Sequence, residues 1–120
     1  MSQGWIGVDL DGTLAVYDGW KGPTHIGEPI PLMCDRVRKW LSDGVEVKIF
    51  TARVSHDGTR ERIKDAVNAS NAIDTWCRKQ FGQELEITNM KDYDLLELWD
   101  DRCVQVAPNS GEVVGKSSRE

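Results

Sequence analysis

Asp9 and Asp11, separated by one leucine and followed by Gly12 and Thr13, are the residues of this chain best suited to chemistry. Side chains two apart on an extended chain point the same way, so both carboxylates can face a common site. A second acidic pair, Asp100 and Asp101, closes another apolar run, and Thr51 closes a third, followed by Ala52 and Arg53. Ligands of open parallel sheets bind beyond the carboxyl ends of the strands, so one location is expected to gather four carboxylates and a hydroxyl. Crowded carboxylates repel unless they are protonated or bridged by a cation. Oxygen donors select a hard ion, and Mg²⁺ is the usual one when the substrate is a phosphate. A carboxylate held on such a cation is a competent nucleophile toward phosphorus, and a second carboxyl nearby can carry protons. The expected metal ligands are Asp9, Asp11, Asp100 and Asp101, and Gly12 lets the chain leave the strand while keeping the space above the site clear. Gly12, Thr51, Ala52 and Arg53 are the expected contacts to phosphate or substrate.

The elements that must position these residues are legible in the pattern around them. Residues 5–9 form a short apolar run that ends in acids, as a buried parallel strand does when it delivers polar groups to a sheet edge. Residues 15–31 are rich in Gly, Pro and polar side chains and read as a loop or small flap, with a turn near Asp18-Gly19. Met33, Val37, Trp40 and Leu41 then fall on one face of a helix, with Pro31 in its first turn and Gly44 just past its end. Residues 45–50 alternate and are β-branched, which predicts a second strand, parallel to the first through a right-handed crossover. From about Thr59 to Asn68 Ile63 and Val67 lie one turn apart, and the apolar phase slips near Ser70-Asn71 before resuming at Ile73, Trp76 and Cys77. This predicts two helices with a break between them. Residues 85–88, 95–99 and 103–107 read as the third, fourth and fifth strands, and the tail after Pro108 is expected to fray.

Lys and Arg number 15 against 20 Asp and Glu, for a net charge of −5 over 120 residues. That length suits one domain with a real core. Net acidity argues against a broad nucleic-acid footprint, because phosphate contacts need Lys/Arg clusters. No apolar run approaches the length of a membrane span, and Met1-Ser2-Gln3-Gly4 lacks the basic and apolar regions of a signal peptide. Cys34, Cys77 and Cys103 fit neither a disulfide framework nor a metal motif and read as reduced thiols of a cytoplasmic protein.

The residues also carry a resemblance. Asp9-Leu10-Asp11-Gly12-Thr13-Leu14 resembles the first motif of the haloacid dehalogenase (HAD) superfamily, Ile49-Phe50-Thr51 its second, and Trp99-Asp100-Asp101 the adjacent-acid form of its fourth. The third motif is a lone Lys or Arg. Lys91, just upstream of the fourth, fits it best, and Lys79, inside a predicted helix, is the weaker candidate. The resemblance implies a single domain, 1–120, with a core over about 5–107 and a tail over 108–120. Its fold would be a three-layer α/β/α Rossmann-like one, a mainly parallel sheet of order 5-4-1-2-3 without a cap domain. Asp9 would form an aspartyl-phosphate, while Asp11 would protonate the leaving oxygen, then activate water, and ligate Mg²⁺ through its backbone carbonyl. Thr51 and Lys91 would hold the phosphoryl oxygens, Asp101 would ligate Mg²⁺, and Asp100 would orient Lys91.

A site without a cap is open to a bulky phosphate ester, or to cover by another subunit. Two rival readings are a 3′-phosphatase acting on nucleic-acid ends and a non-catalytic Mg²⁺- and phosphate-binding assembly module. Trp20 and Lys21 in the flap read as domain-edge packing and a solvated charge, with stacking on a base or sugar ring as the alternative. His56 and Arg60 read as solvent-facing.

Overall fold

The computed structural model describes residues 3–119. Its elements in chain order are β1 (Trp5–Asp9), α1 (Pro31–Ser42), β2 (Glu46–Phe50), a short 3-10 turn (Ala52–Val54), α2 (Arg60–Phe81), β3 (Glu86–Thr88), β4 (Leu95–Trp99), β5 (Gln105–Val106) and β6 (Val113–Val114). Four strands form a parallel sheet in the order β3-β2-β1-β4. Strand β1 is central, paired with β2 on one side and β4 on the other, so its carboxyl end opens between two crossovers of opposite direction.

Alternation along the strands decides what each face does. Val8 of β1 and Val47 and Ile49 of β2 point into one core cluster with Met33, Cys34 and Val37 of α1 and Ile73 and Cys77 of α2. Both helices therefore cover the same face, and Arg38 of α1 reaches the Gln80 carbonyl at 3.2 Å. The opposite face is crossed by the β3–β4 connection, residues 89–94, whose Asp92 accepts a 2.8 Å hydrogen bond from Trp5 Nε1. Trp5, only 2% exposed, lies there beside Gly7, with Lys48 Nζ at 4.5 Å from its ring centroid.

Three expectations change. The run 103–107 does not extend the parallel sheet: Gln105–Val106 pairs antiparallel with Val113–Val114, in a small hairpin that includes much of the tail expected to fray. The second face of the sheet carries a loop where a third layer was expected, because residues 89–94 are too few to build a crossover helix. Arg60–Phe81 is one continuous helix of 22 residues. Its buried stripe is Ala66, Ala69, Ile73 and Cys77, whereas Ile63 and Val67, which suggested a separate phase, are exposed. Thr59 caps its start by accepting from Arg62 N, and Gly82 ends it in the left-handed conformation at φ +73°.

Met1, Ser2 and Glu120, which the expectations on leader and tail touched, lie outside the described residues. Among the described residues no helix is long and apolar enough to cross a membrane. Cys34 and Cys77 are buried free thiols and Cys103 is an exposed one.

Candidate functional site

Strand register brings the polar residues to one level. Asp9 pairs with Phe50, Phe50 with Thr88, and Val8 with Trp99. The next residues out of the sheet are consequently Thr51 beyond β2 and Asp100 beyond β4, flanking Asp9. A cleft of about 560 Å³ opens above them and is lined by Asp9, Asp11, Thr51, Asp100 and Asp101, with Arg53 on its far wall.

Asp9, Asp100 and Asp101 each present a carboxylate oxygen within 4.8 Å of the others. Burial and the neighbouring charges of Asp100, Asp101 and Asp11 push the Asp9 carboxyl up to about 8. Without a counter-charge, the cluster therefore holds a proton at neutral pH, which a bound cation would displace. Thr13 Oγ1 ties the two acidic segments together, 3.1 Å from Asp101 Oδ1 and 3.4 Å from Asp9 Oδ2, and accepts from Asp101 N at 3.0 Å. Gly12 is required here on two counts. Its φ is +89°, and a Cβ would sit 2.5 Å from Asp101 Oδ2.

Asp11 faces the other way. Both its oxygens accept from Arg53, Nε and Nη2 at 2.8 Å each, in a bidentate ion pair. Arg53 Nη1 also donates to the Pro23 carbonyl at 3.1 Å, and its guanidinium stacks 4.9 Å from the Trp20 ring centroid. The Arg53 side chain is 5% exposed. It therefore links the acid at position 11 to the flap. The flap base is fixed by Val16 N donating to Glu28 O and Ile30 N to Leu14 O, and at Gly27 a Cβ would collide with the Val16 carbonyl.

Thr51, 2% exposed, is the buried polar side chain of the core region, and its hydroxyl accepts from Arg53 N at 3.1 Å to cap the 3-10 turn. Ala52 is exposed and lines the cleft.

The sequence-derived set is thus brought together in large part, with two departures. Asp11 is outside the three-carboxylate cluster, its side chain being engaged by Arg53. Lys91 is exposed in the 89–94 loop and forms no salt bridge with Asp100, the contact expected for it; its charge is felt at Cys103, close to Asp100. The loop is anchored through Asp92 to Trp5, which leaves the Lys91 side chain outside the cleft. Lys79 is exposed on α2, and His56 and Arg60 are exposed beyond the 3-10 turn. Trp20 is a cleft wall residue rather than domain-edge packing. Thr13, Tyr17, Arg62 and Arg102 also belong to the site and were not singled out from the sequence. Thr13 could have been, since it sits inside the Asp-x-Asp-Gly-Thr string; the others carry no local signal.

No protein-family model and no curated protein matches the sequence. Among solved structures, that of a conserved protein coded by a locus from Bacteroides thetaiotaomicron is similar, with a TM-score of 0.52 at 21% identity, covering 85% of this chain and 78% of that one. At that identity the likeness concerns fold alone: a mixed α/β domain on a four-stranded parallel sheet, compatible with a Rossmann-like arrangement.

Proposed function

We propose that this protein is a capless, Mg²⁺-dependent phosphomonoester hydrolase of the HAD type. The observation that carries the reading is the convergence of the Asp9, Asp100 and Asp101 carboxylates beside Asp11 and Thr51 in one cleft at the carboxyl edge of the sheet. The sheet order β3-β2-β1-β4 supports it, since it corresponds to 4-1-2-3 of the order that the resemblance implies. The all-oxygen donor set and the raised Asp9 carboxyl fit a hard divalent cation held by Asp9, Asp100 and Asp101. When bound, that cation neutralises the carboxylates and the phosphoryl oxygens as charge shifts between them.

In the reaction an Asp9 oxygen attacks phosphorus and the bond from phosphorus to the ester oxygen breaks. Asp11, once released by Arg53 and protonated from solvent, gives that proton to the departing alkoxide, leaving an alcohol and an aspartyl-phosphate. Asp11 then takes a proton from water, whose oxygen attacks phosphorus, releasing phosphate and the free Asp9 carboxylate. The Thr51 hydroxyl and the Ala52 backbone N–H offer donors to the phosphoryl oxygens, whereas the N–H groups of Gly12 and Arg53 already donate to the Ala15 carbonyl and to Thr51 Oγ1. Arg53 is the cation already in the cleft. Because Arg53 occupies both oxygens of Asp11, it must shift toward the incoming phosphate ester before Asp11 can exchange protons.

Turnover of p-nitrophenyl phosphate with and without Mg²⁺ tests the reading. Asp9→Asn should abolish it, since an amide cannot form the acyl-phosphate. Asp11→Asn should slow alkyl phosphates by about 10²–10⁴ and the activated aryl ester by less. Absence of Mg²⁺-dependent turnover across aryl, sugar and nucleoside phosphates would refute it.

A further inference from the structure

The cleft is much larger than a phosphoryl group needs, and its lining combines acids with aromatic and basic side chains. The sheet side is acidic. The lining also includes the exposed rings of Tyr17 and Trp20 on the flap, Arg62 and Asp65 at the start of α2, and Arg102 directly after the Asp100–Asp101 pair. Trp20 is 58% exposed although Arg53 stacks on it, which leaves part of the residue open to a ligand. Arg62 and Arg102 form no salt bridge within 4 Å, unlike Arg53, which Asp11 neutralises. An open indole offers a stacking platform for any planar ring. An unpaired guanidinium offers a fork for an anionic oxyacid. Both line the same cleft as the Asp9 carboxylate that would accept the phosphoryl group.

From this shared lining we infer that the substrate is a phosphate ester of nucleotide chemistry: its leaving group carries a planar ring that stacks on Trp20 and a second anionic group that Arg62 or Arg102 receives. The inference rests on the phosphatase reading for the reaction, but the binding surface stands apart from it. Such a ligand comes either as a free nucleotide or as the phosphorylated end of a nucleic acid. The net charge of −5 favours the free one.

The test compares adenosine 3′,5′-bisphosphate, adenosine 5′-monophosphate and ribose 5-phosphate as substrates in Mg²⁺. KM should fall at each added group, and the bisphosphate should lie at least about tenfold below ribose 5-phosphate, the effect of about 1.4 kcal/mol. Trp20→Ala should raise KM for the two adenosine compounds by a larger factor than for ribose 5-phosphate. Arg62→Gln with Arg102→Gln should raise KM for the bisphosphate and spare the monophosphate. Equal KM for all three compounds, or losses in the variants that ignore ring and second anion, would overturn the inference while leaving the phosphatase reading intact. Calorimetry of the bisphosphate with Asp9→Asn separates the reverse case: selective binding without turnover by the wild-type protein would sustain the surface and sink the reaction. A 3′-phosphorylated oligonucleotide preferred over the bisphosphate, with KM rising steeply with salt, would support the same surface with a nucleic-acid end as its source.

Discussion

At the scale of single residues, Asp9 has the sharpest measurable signature. Its carboxyl is raised to about 8 by burial and by Asp100, Asp101 and Asp11, whereas in the unfolded chain it titrates as an ordinary carboxyl. Between those two values the native state binds one proton more than the unfolded state, so its stability falls as pH rises. The metal-free protein should therefore lose melting temperature steadily from about pH 4 to pH 8 and then level off. Asp9→Asn should flatten that slope and exceed wild type above pH 8 in EDTA, as thermal melts across pH would register. An unchanged slope in the variant would place the raised proton elsewhere. Much of this site was legible beforehand, because an acid two residues from an acid at the end of an apolar run can only face the same edge. The partner of Asp11 was not. Arg53 lies 42 residues away, and only the crossover through β2 brings its guanidinium across to that carboxylate.

At the scale of elements, the flap and the site share that one arginine. Arg53 holds Asp11, the Pro23 carbonyl and the Trp20 ring together. Arg53→Gln should free the flap, and trypsin cleavage after Lys21, at the flap tip, should accelerate by about fivefold, the change in open population from about 1 kcal/mol of lost closure. A cleavage rate equal to wild type would mean that the flap is held by its backbone bridges alone. In α2 the residues that suggested a break sit mid-helix: Ser70 is half-buried, Asn71 is exposed, and Thr75 Oγ1 donates to the Asn71 carbonyl at 3.1 Å. Asn71→Ala should then stabilise the protein by about 0.5 kcal/mol in urea denaturation, as for any exposed helix interior; no gain would indicate that the helix is interrupted there. The misreading has a physical cause. Ala66 and Ala69 carry the buried stripe with almost no hydrophobic signal, while Ile63 and Val67, which carry a strong one, face out. Strand β4, by contrast, runs over Leu95–Trp99 as its pattern indicates, since it ends where the acids begin. The hairpin of β5 and β6 was illegible because two residues per strand leave too short a period to read.

At the scale of the whole molecule, one face of the sheet packs on two helices and the carboxyl edge collects the charge that the core cannot hold. A cation bound to Asp9, Asp100 and Asp101 relieves that charge only in the folded state, so Mg²⁺ should raise the melting temperature with its concentration, by about 2.7 kcal/mol of stability at 100 times Kd. Asp101→Asn should diminish the shift. The most direct test of the central claim is calorimetric titration of BeF₃⁻, a mimic of the phosphoryl group on a carboxylate, into the protein with millimolar Mg²⁺ or with EDTA. Binding should occur with Mg²⁺, vanish in EDTA and vanish in Asp9→Asn. Binding that ignores Mg²⁺ or survives the loss of the Asp9 carboxylate, or no binding under any condition, would contradict it.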